Sequence, residues 1–118
     1  MKIGLYYHNV IDKFPGYFRI FSESLIKAGH EVHIITGLRK QDIEQKIPHT
    51  HFYSVSDDLV SHFSYHINKE GRPIFEDDVW NKAKAKYCKE NKIDLMIDDS
   101  KIYGKYFSTP YFQYGSIK

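Results

Sequence analysis

Short apolar runs alternate with longer stretches of helical periodicity along this chain, and that alternation limits its fold more than any other property. Lys2–Tyr7 (KIGLYY), Glu31–Thr36 (EVHIIT) and Ile93–Ile97 (IDLMI) read as strands. Phe18, Phe21, Leu25 and Ala28 recur at the 3–4 spacing of an amphipathic helix over Tyr17–Ala28, with Gly29 placed to cap it. Arg39–Lys46 predicts a short helix and Thr50–Ser54 a third strand. A helix that Asp77 or Asp78 can cap runs to about Asn91, and Tyr111–Tyr114 makes a fifth strand after Pro110. Asp58–Arg72 carries no readable pattern. Strand–helix–strand order at this spacing requires crossover connections, so the prediction is a three-layer α/β domain with a mostly parallel five-stranded sheet.

A chain of 118 residues fits one domain, 1–118, and buries enough surface for a core without staples. A hydrophobic fraction of 42% excludes intrinsic disorder. The net charge of +2 is too small for a nucleic-acid footprint or a polybasic membrane patch. No run approaches the ~20 apolar residues of a membrane span. The opening MKIGLYYHNV lacks a signal-peptide apolar segment. Cys88 is the single cysteine, which points to a reduced, cytoplasmic setting.

Open parallel sheets bind ligands beyond the C-terminal ends of their strands. That directs attention to Tyr6–Asn9, Thr36–Gly37, Ser54–Asp57 and Asp98–Ser100. Two adjacent carboxylates, Asp98 and Asp99, are costly at the mouth of a buried strand unless paired, and Mg²⁺ would offset their repulsion. Equally, Asp99 or Ser100 could cap a following helix while Asp98 ends the strand. Thr36 and Gly37 offer a hydroxyl and a backbone N–H to an anion, or simply end a strand in a turn. Lys84 stands on an apolar row between Trp80 and Cys88, whereas Lys82 and Lys86 share a solvent-facing row with Asp78 and Glu90. An inward lysine can meet a phosphate or pack its aliphatic stem. His49 and His51 could place both rings on one side of a strand, and His62 and His66 would share a helix face as a usable metal pair without a third ligand; no HExxH or CxxC occurs, so no zinc site is expected. His30 and His33 read as helix-end and strand residues.

Taken in order, these landmarks resemble the haloacid dehalogenase-like phosphohydrolase superfamily, in a small form with little or no cap and a Rossmann-like fold. The strand ending Ile34-Ile35-Thr36-Gly37 matches the second motif and Lys84 the third. Ile97-Asp98-Asp99-Ser100 matches the fourth. The resemblance spans nearly the whole chain and implies phosphate binding by Thr36, Gly37 and Lys84, with Mg²⁺ on Asp98 and Asp99. The departure is in the first motif, Tyr6-Tyr7-His8-Asn9-Val10-Ile11, where the family's nucleophile and acid/base aspartates are replaced by Tyr6 and His8. Asn9 still matches. A phenol, with an ordinary pKa of about 10, is neutral at pH 7 and a poor nucleophile. An acid such as His8 acting alone supplies roughly 10²–10⁴-fold.

The expected function is therefore a non-catalytic or very weakly active protein that binds a small phosphorylated molecule, with Mg²⁺ binding weak or lost. One alternative is an active phosphohydrolase in which His8 acts as nucleophile or base. The other rests on MKIGLYYHNV, Pro15-Gly16 and Ala28-Gly29-His30-Glu31-Val32, which also resemble the first domain of two-domain glycosyltransferases, a nucleotide-sugar-binding unit. Residues 57–76, with Phe63 and Tyr65, are expected to form a small cap, a subunit interface or part of the core.

Overall fold

A computed structural model of the chain describes residues 1–99 and 108–113. The first strand, β1 (Lys2–Tyr6), is buried on both faces, so its side chains serve two cores in alternation. Ile3 and Leu5 pack with Val32 and Ile34 of β2 (Glu31–Thr36) and with Leu95 and Ile97 of a later strand, β6 (Leu95–Asp98). On the other face Gly4 lies against Met96 and Ile35, which cluster with Cys88. Two more sheet strands, β3 (His51–Ser54) and β7 (Tyr111–Gln113), lie at the edges. Among the described residues the sheet has five strands, all parallel, in the order β3-β2-β1-β6-β7. Chain direction around the sheet reverses between β1 and β6, the position where such sheets open a crevice.

Helix α1 (Pro15–Lys27) covers the Ile3/Leu5 face through Phe18, with Phe21 and Leu25 beside it. Proline occupies its first turn, and Gly29 follows its end at φ +90°. The Gly29 N–H donates to the Ile26 carbonyl and the His30 N–H to the Leu25 carbonyl, the paired bonds of a glycine-terminated helix. Helix α3 (Asp77–Glu90) covers the opposite face through Ala83, Lys84 and Cys88, completing three layers. Asp77 and Asp78 stand in its first turn, where carboxylates suit the helix dipole; the capping position itself is Glu76, whose side chain makes no cap bond.

Two segments differ from expectation. Arg39–Lys46 forms only a single 3₁₀ turn at Lys40–Asp42, because Ile43 alone gives it no apolar face to bury. Residues 57–76 hold most of helix α2 (Val55–Val60), whose N-cap is Ser54, and a small antiparallel hairpin of β4 (His66–Ile67) and β5 (Pro73–Ile74). Asn68 shapes that hairpin, its side-chain carbonyl accepting from the N–H groups of Glu70 and Arg72. Tyr114 and Ser100 lie outside the described residues. Among the described residues no helix is long and apolar enough to cross a membrane.

This packing predicts a contrast between two apolar truncations. Leu5→Ala, at a side chain 0% exposed in the central strand, should lower the unfolding free energy by about 2–5 kcal/mol in a urea titration. Ile20→Ala, at a residue 67% exposed on α1, should change it by less than about 0.5 kcal/mol.

Candidate functional site

Strand alternation decides which side chains meet at the C-terminal ends. Gly4 pairs in register with Met96, so continuing by two residues sets Tyr6 beside Asp98 on the face that α3 covers. Lys84 projects from α3 onto that place. Its Nζ donates to Asp98 Oδ2 at 3.1 Å, with the two side chains 1% and 0% exposed. The same Nζ lies 3.6 Å from the centroid of the Tyr6 ring, a close cation–π contact. Burial pushes the Lys84 pKa down from the ordinary lysine value, and Asp98 opposes that shift by favouring the ammonium. Lys82 and Lys86 face outward and pair with Asp78 and Glu90, as their row predicts.

Above this dry cluster a cleft of about 360 Å³ opens. Tyr6 forms part of it, together with His8, Gly37, Ser56 and Trp80, and Arg39, Asp42, Asn68 and Arg72 stand around it. Residues of the 57–76 segment thus border the opening. Gly37 has a definite reason to be glycine, since a Cβ there would stand 2.8 Å from Trp80 Cζ2. Three hydroxyl contacts hold the loop after β2. The Thr36 Oγ1 accepts from the Leu38 N–H, Ser54 donates to the Leu38 carbonyl and Ser56 donates to the Gly37 carbonyl. The Lys40 N–H and the Arg39 side chain both meet the Asp57 carboxylate at the start of α2.

The sequence-predicted residues therefore divide. Tyr6, His8 and Gly37 line the cleft. Thr36, Lys84 and Asp98 are buried and do not. Asp99 accepts a hydrogen bond from Asn9 Nδ2 at 3.0 Å, and His8 Nδ1 sits 3.2 Å from Asp12 Oδ2. Asn9 takes φ 63°, a left-handed conformation that asparagine tolerates, and its N–H donates to Asp12. These donors do not fit Mg²⁺. The ion prefers carboxylates with several waters, whereas Asp98 is fully buried with an ammonium on its Oδ2, and neither acid lines the cleft.

Ser56 lies in the Ser54–Asp57 segment that the strand-end rule singled out, but sequence reading missed Arg39, Arg72 and Trp80, because only the fold brings these separate segments to one opening. It also missed a cluster at the other end of the sheet. Glu31, His33 and His51 place three ligand-type atoms within 4.8 Å of one another. Within it, the hydrogen bond from His33 is the main cause that holds Glu31 below the usual carboxylate range. Burial pushes His33 down. A second cleft of about 370 Å³ between α2 and α3, walled by Tyr53, Leu59, Val79 and Tyr87, takes no residue from β1 or β6. No protein-family model matches this chain, and neither a curated protein nor a solved structure does.

Two stability tests follow from the geometry. Lys84→Met strands the Asp98 carboxylate without its ammonium and should cost about 3–5 kcal/mol near neutral pH. Because burial then raises the Asp98 pKa in the folded state, that loss should be small in acid and grow as pH rises above about 3.9. Adding Asp98→Leu should recover most of it in chemical denaturation. For His33 the sign is opposite. Its folded pKa is depressed, so the stability it supplies is present above the unfolded value of about 6.5 and is lost as pH falls through that value. Urea midpoints against pH should show this loss, reduced in His33→Gln.

Proposed function

We propose that this chain is a haloacid dehalogenase-like domain that binds a small phosphorylated molecule in the cleft above Tyr6 and does not turn it over by an aspartyl-phosphate route. The observation that carries the reading is the cluster of Tyr6, Lys84 and Asp98. In the slot of the attacking carboxylate stands a phenol ring, and the lysine that would meet the phosphate lies beneath that ring, engaged with Asp98. The anion-binding role then passes to groups that do face the opening: Arg39, Arg72 and His8. Arg39 already meets the Asp57 carboxylate and Asp42 stands beside the opening, so Arg72 is the principal anion contact in this reading. Guanidinium forks suit phosphate oxygens. Trp80 and Tyr6 add aromatic surface for the organic part of the ligand.

Binding in this reading does not require Mg²⁺, because the Lys84 ammonium supplies the positive charge that Asp98 needs. A cytoplasmic setting suits Cys88, which is buried, with its thiol pushed up to about 12 by that burial, and so is no nucleophile. One observation favours the alternative of an active phosphohydrolase. His8 is 60% exposed at the cleft and has Asp12 3.2 Å away, an arrangement that can hold an imidazole for proton or phosphoryl transfer.

Isothermal titration with phosphate monoesters, nucleoside phosphates and a nucleotide-sugar tests these readings together. The proposal expects binding that is unchanged by Mg²⁺ or a chelator. It expects Arg72→Ala to weaken that binding about 10-fold or more, the loss of a charge-assisted hydrogen bond. It expects no Mg²⁺-dependent phosphate release. Robust turnover abolished by Asp98→Asn refutes it, and an acid-labile phosphohistidine lost in His8→Ala establishes the alternative. Preference for the nucleotide-sugar alone moves the chain to the glycosyltransferase-like reading.

A further inference from the structure

The N-terminal ends of β2 and β3 gather a second set of polar side chains, far along the sheet from the cleft. His33 and His51 are direct partners in the parallel register, and Glu31 precedes His33 by two residues and so shares its face. We propose that Glu31, His33 and His51 bind one transition-metal dication of the Zn²⁺ class and clamp β2 to β3.

Glu31 Oε1 is the common atom of the cluster. It lies 2.9 Å from His33 Nε2 and 3.7 Å from His51 Nδ1. A tetrahedral ion with bonds of about 2.0–2.2 Å holds its ligand atoms roughly 3.2–3.6 Å apart. Shifts of under about 1 Å bring these pairs to that spacing. The second carboxylate oxygen, Oε2, faces Lys2 Nζ at 4.0 Å, so the charge partner and the ligand atom are on separate oxygens. Two imidazoles with one carboxylate and an open fourth position suit Zn²⁺ better than Mg²⁺ or Ca²⁺.

The partners of His33 fit a ligand. Its ring is 2% exposed and its Nδ1 meets the Tyr87 hydroxyl at 2.7 Å, so an outer-shell group already orients it. Without metal, the neutral ring donates Nε2–H to Glu31 while Tyr87 donates to Nδ1. With metal, the ion takes the Nε2 position, the ring proton stands on Nδ1 and donates to the Tyr87 oxygen, and no proton is lost. The His33 and His51 rings are stacked at 4.2 Å with 5° between their planes. A metal in both ring planes therefore requires His51 to turn. His51 is 50% exposed, and its Nδ1 contact, the Thr50 hydroxyl, also bonds Val32, so that side chain can turn without opening the core. Its exposed side leaves room for water as the fourth ligand.

The test is titration of Zn²⁺ alone into chelator-treated full chain, with the histidine ring nitrogens followed by long-range ¹H–¹⁵N spectra. The expected result is one Zn²⁺ per chain, shifts at His33 and His51, and affinity at least 10-fold weaker in both His51→Ala and Glu31→Gln. His62→Ala, at the edge of the α2–α3 cleft, should bind as the unaltered chain does. Both informative positions are partly exposed, and the ring-nitrogen shifts in the unaltered protein stand whether or not a variant folds. Absence of stoichiometric binding, shifts at other histidines only, or full affinity in either His51→Ala or Glu31→Gln overturns the site.

Discussion

Moving a carboxylate or an ammonium out of water costs several kcal/mol per ion even after relaxation, so a pair as dry as Lys84 and Asp98 survives only where geometry is exact for both. The sheet provides that geometry. Asp98 ends β6 on the α3 face, Tyr6 ends β1 on the same face, and α3 lies where one inward lysine reaches both. The Tyr6 ring covers the ammonium and separates the pair from the cleft. The field felt at the cleft is consequently that of a neutralised pair, and the charged groups at the opening are Arg39, Arg72 and Asp42, with Arg39 also meeting Asp57. A carboxylate in place of Tyr6 would change this balance. It would give the lysine a second anion and expose the group to the cleft.

The loop after β2 shows how little side-chain chemistry is left over once the fold is satisfied. Thr36, Ser54 and Ser56 each spend their hydroxyl on backbone atoms of residues 37–38, and Asp57 ties the following turn to α2. These bonds fix the path of Gly37 against Trp80, where no Cβ fits. Thr36 in particular acts as a turn-former in the described structure.

Much of the architecture was readable in the residues themselves. The strands KIGLYY, EVHIIT and IDLMI are dense apolar runs because both faces of a parallel sheet are buried, and α1 declares itself through Phe18, Phe21, Leu25 and the Gly29 terminus. Lys84 could be singled out because its row includes Trp80 and Cys88. The hairpin at residues 66–74 could not, since two-residue strands have no periodicity and its turn depends on the Asn68 side chain. The short helix expected at Arg39–Lys46 failed for want of an apolar face. Arg72 and Trp80 reach the cleft by tertiary placement alone. The histidine cluster shows the same limit. His33 and His51 are 18 residues apart and meet only through the β2–β3 register, which no local spacing encodes.

Both ends of the sheet use one device. On its α3 face the sheet carries a buried polar residue near each end, His33 toward the start of β2 and Asp98 at the end of β6. Helix α3 answers each with a polar side chain of its own, Tyr87 to His33 and Lys84 to Asp98, three residues apart and so about one turn along the helix. Apolar packing of Ala83 and Cys88 holds the helix down but is non-directional, and a slide by one turn would preserve much of it. The two hydrogen bonds would not survive such a slide. Either misplacement leaves a buried polar group without its partner, at roughly 1–3 kcal/mol for a neutral group and more for a charged one. The same pair of bonds that sets the helix register also holds Tyr6 between a dry ion pair and an open cleft, so the site inherits its geometry from the way the helix is anchored.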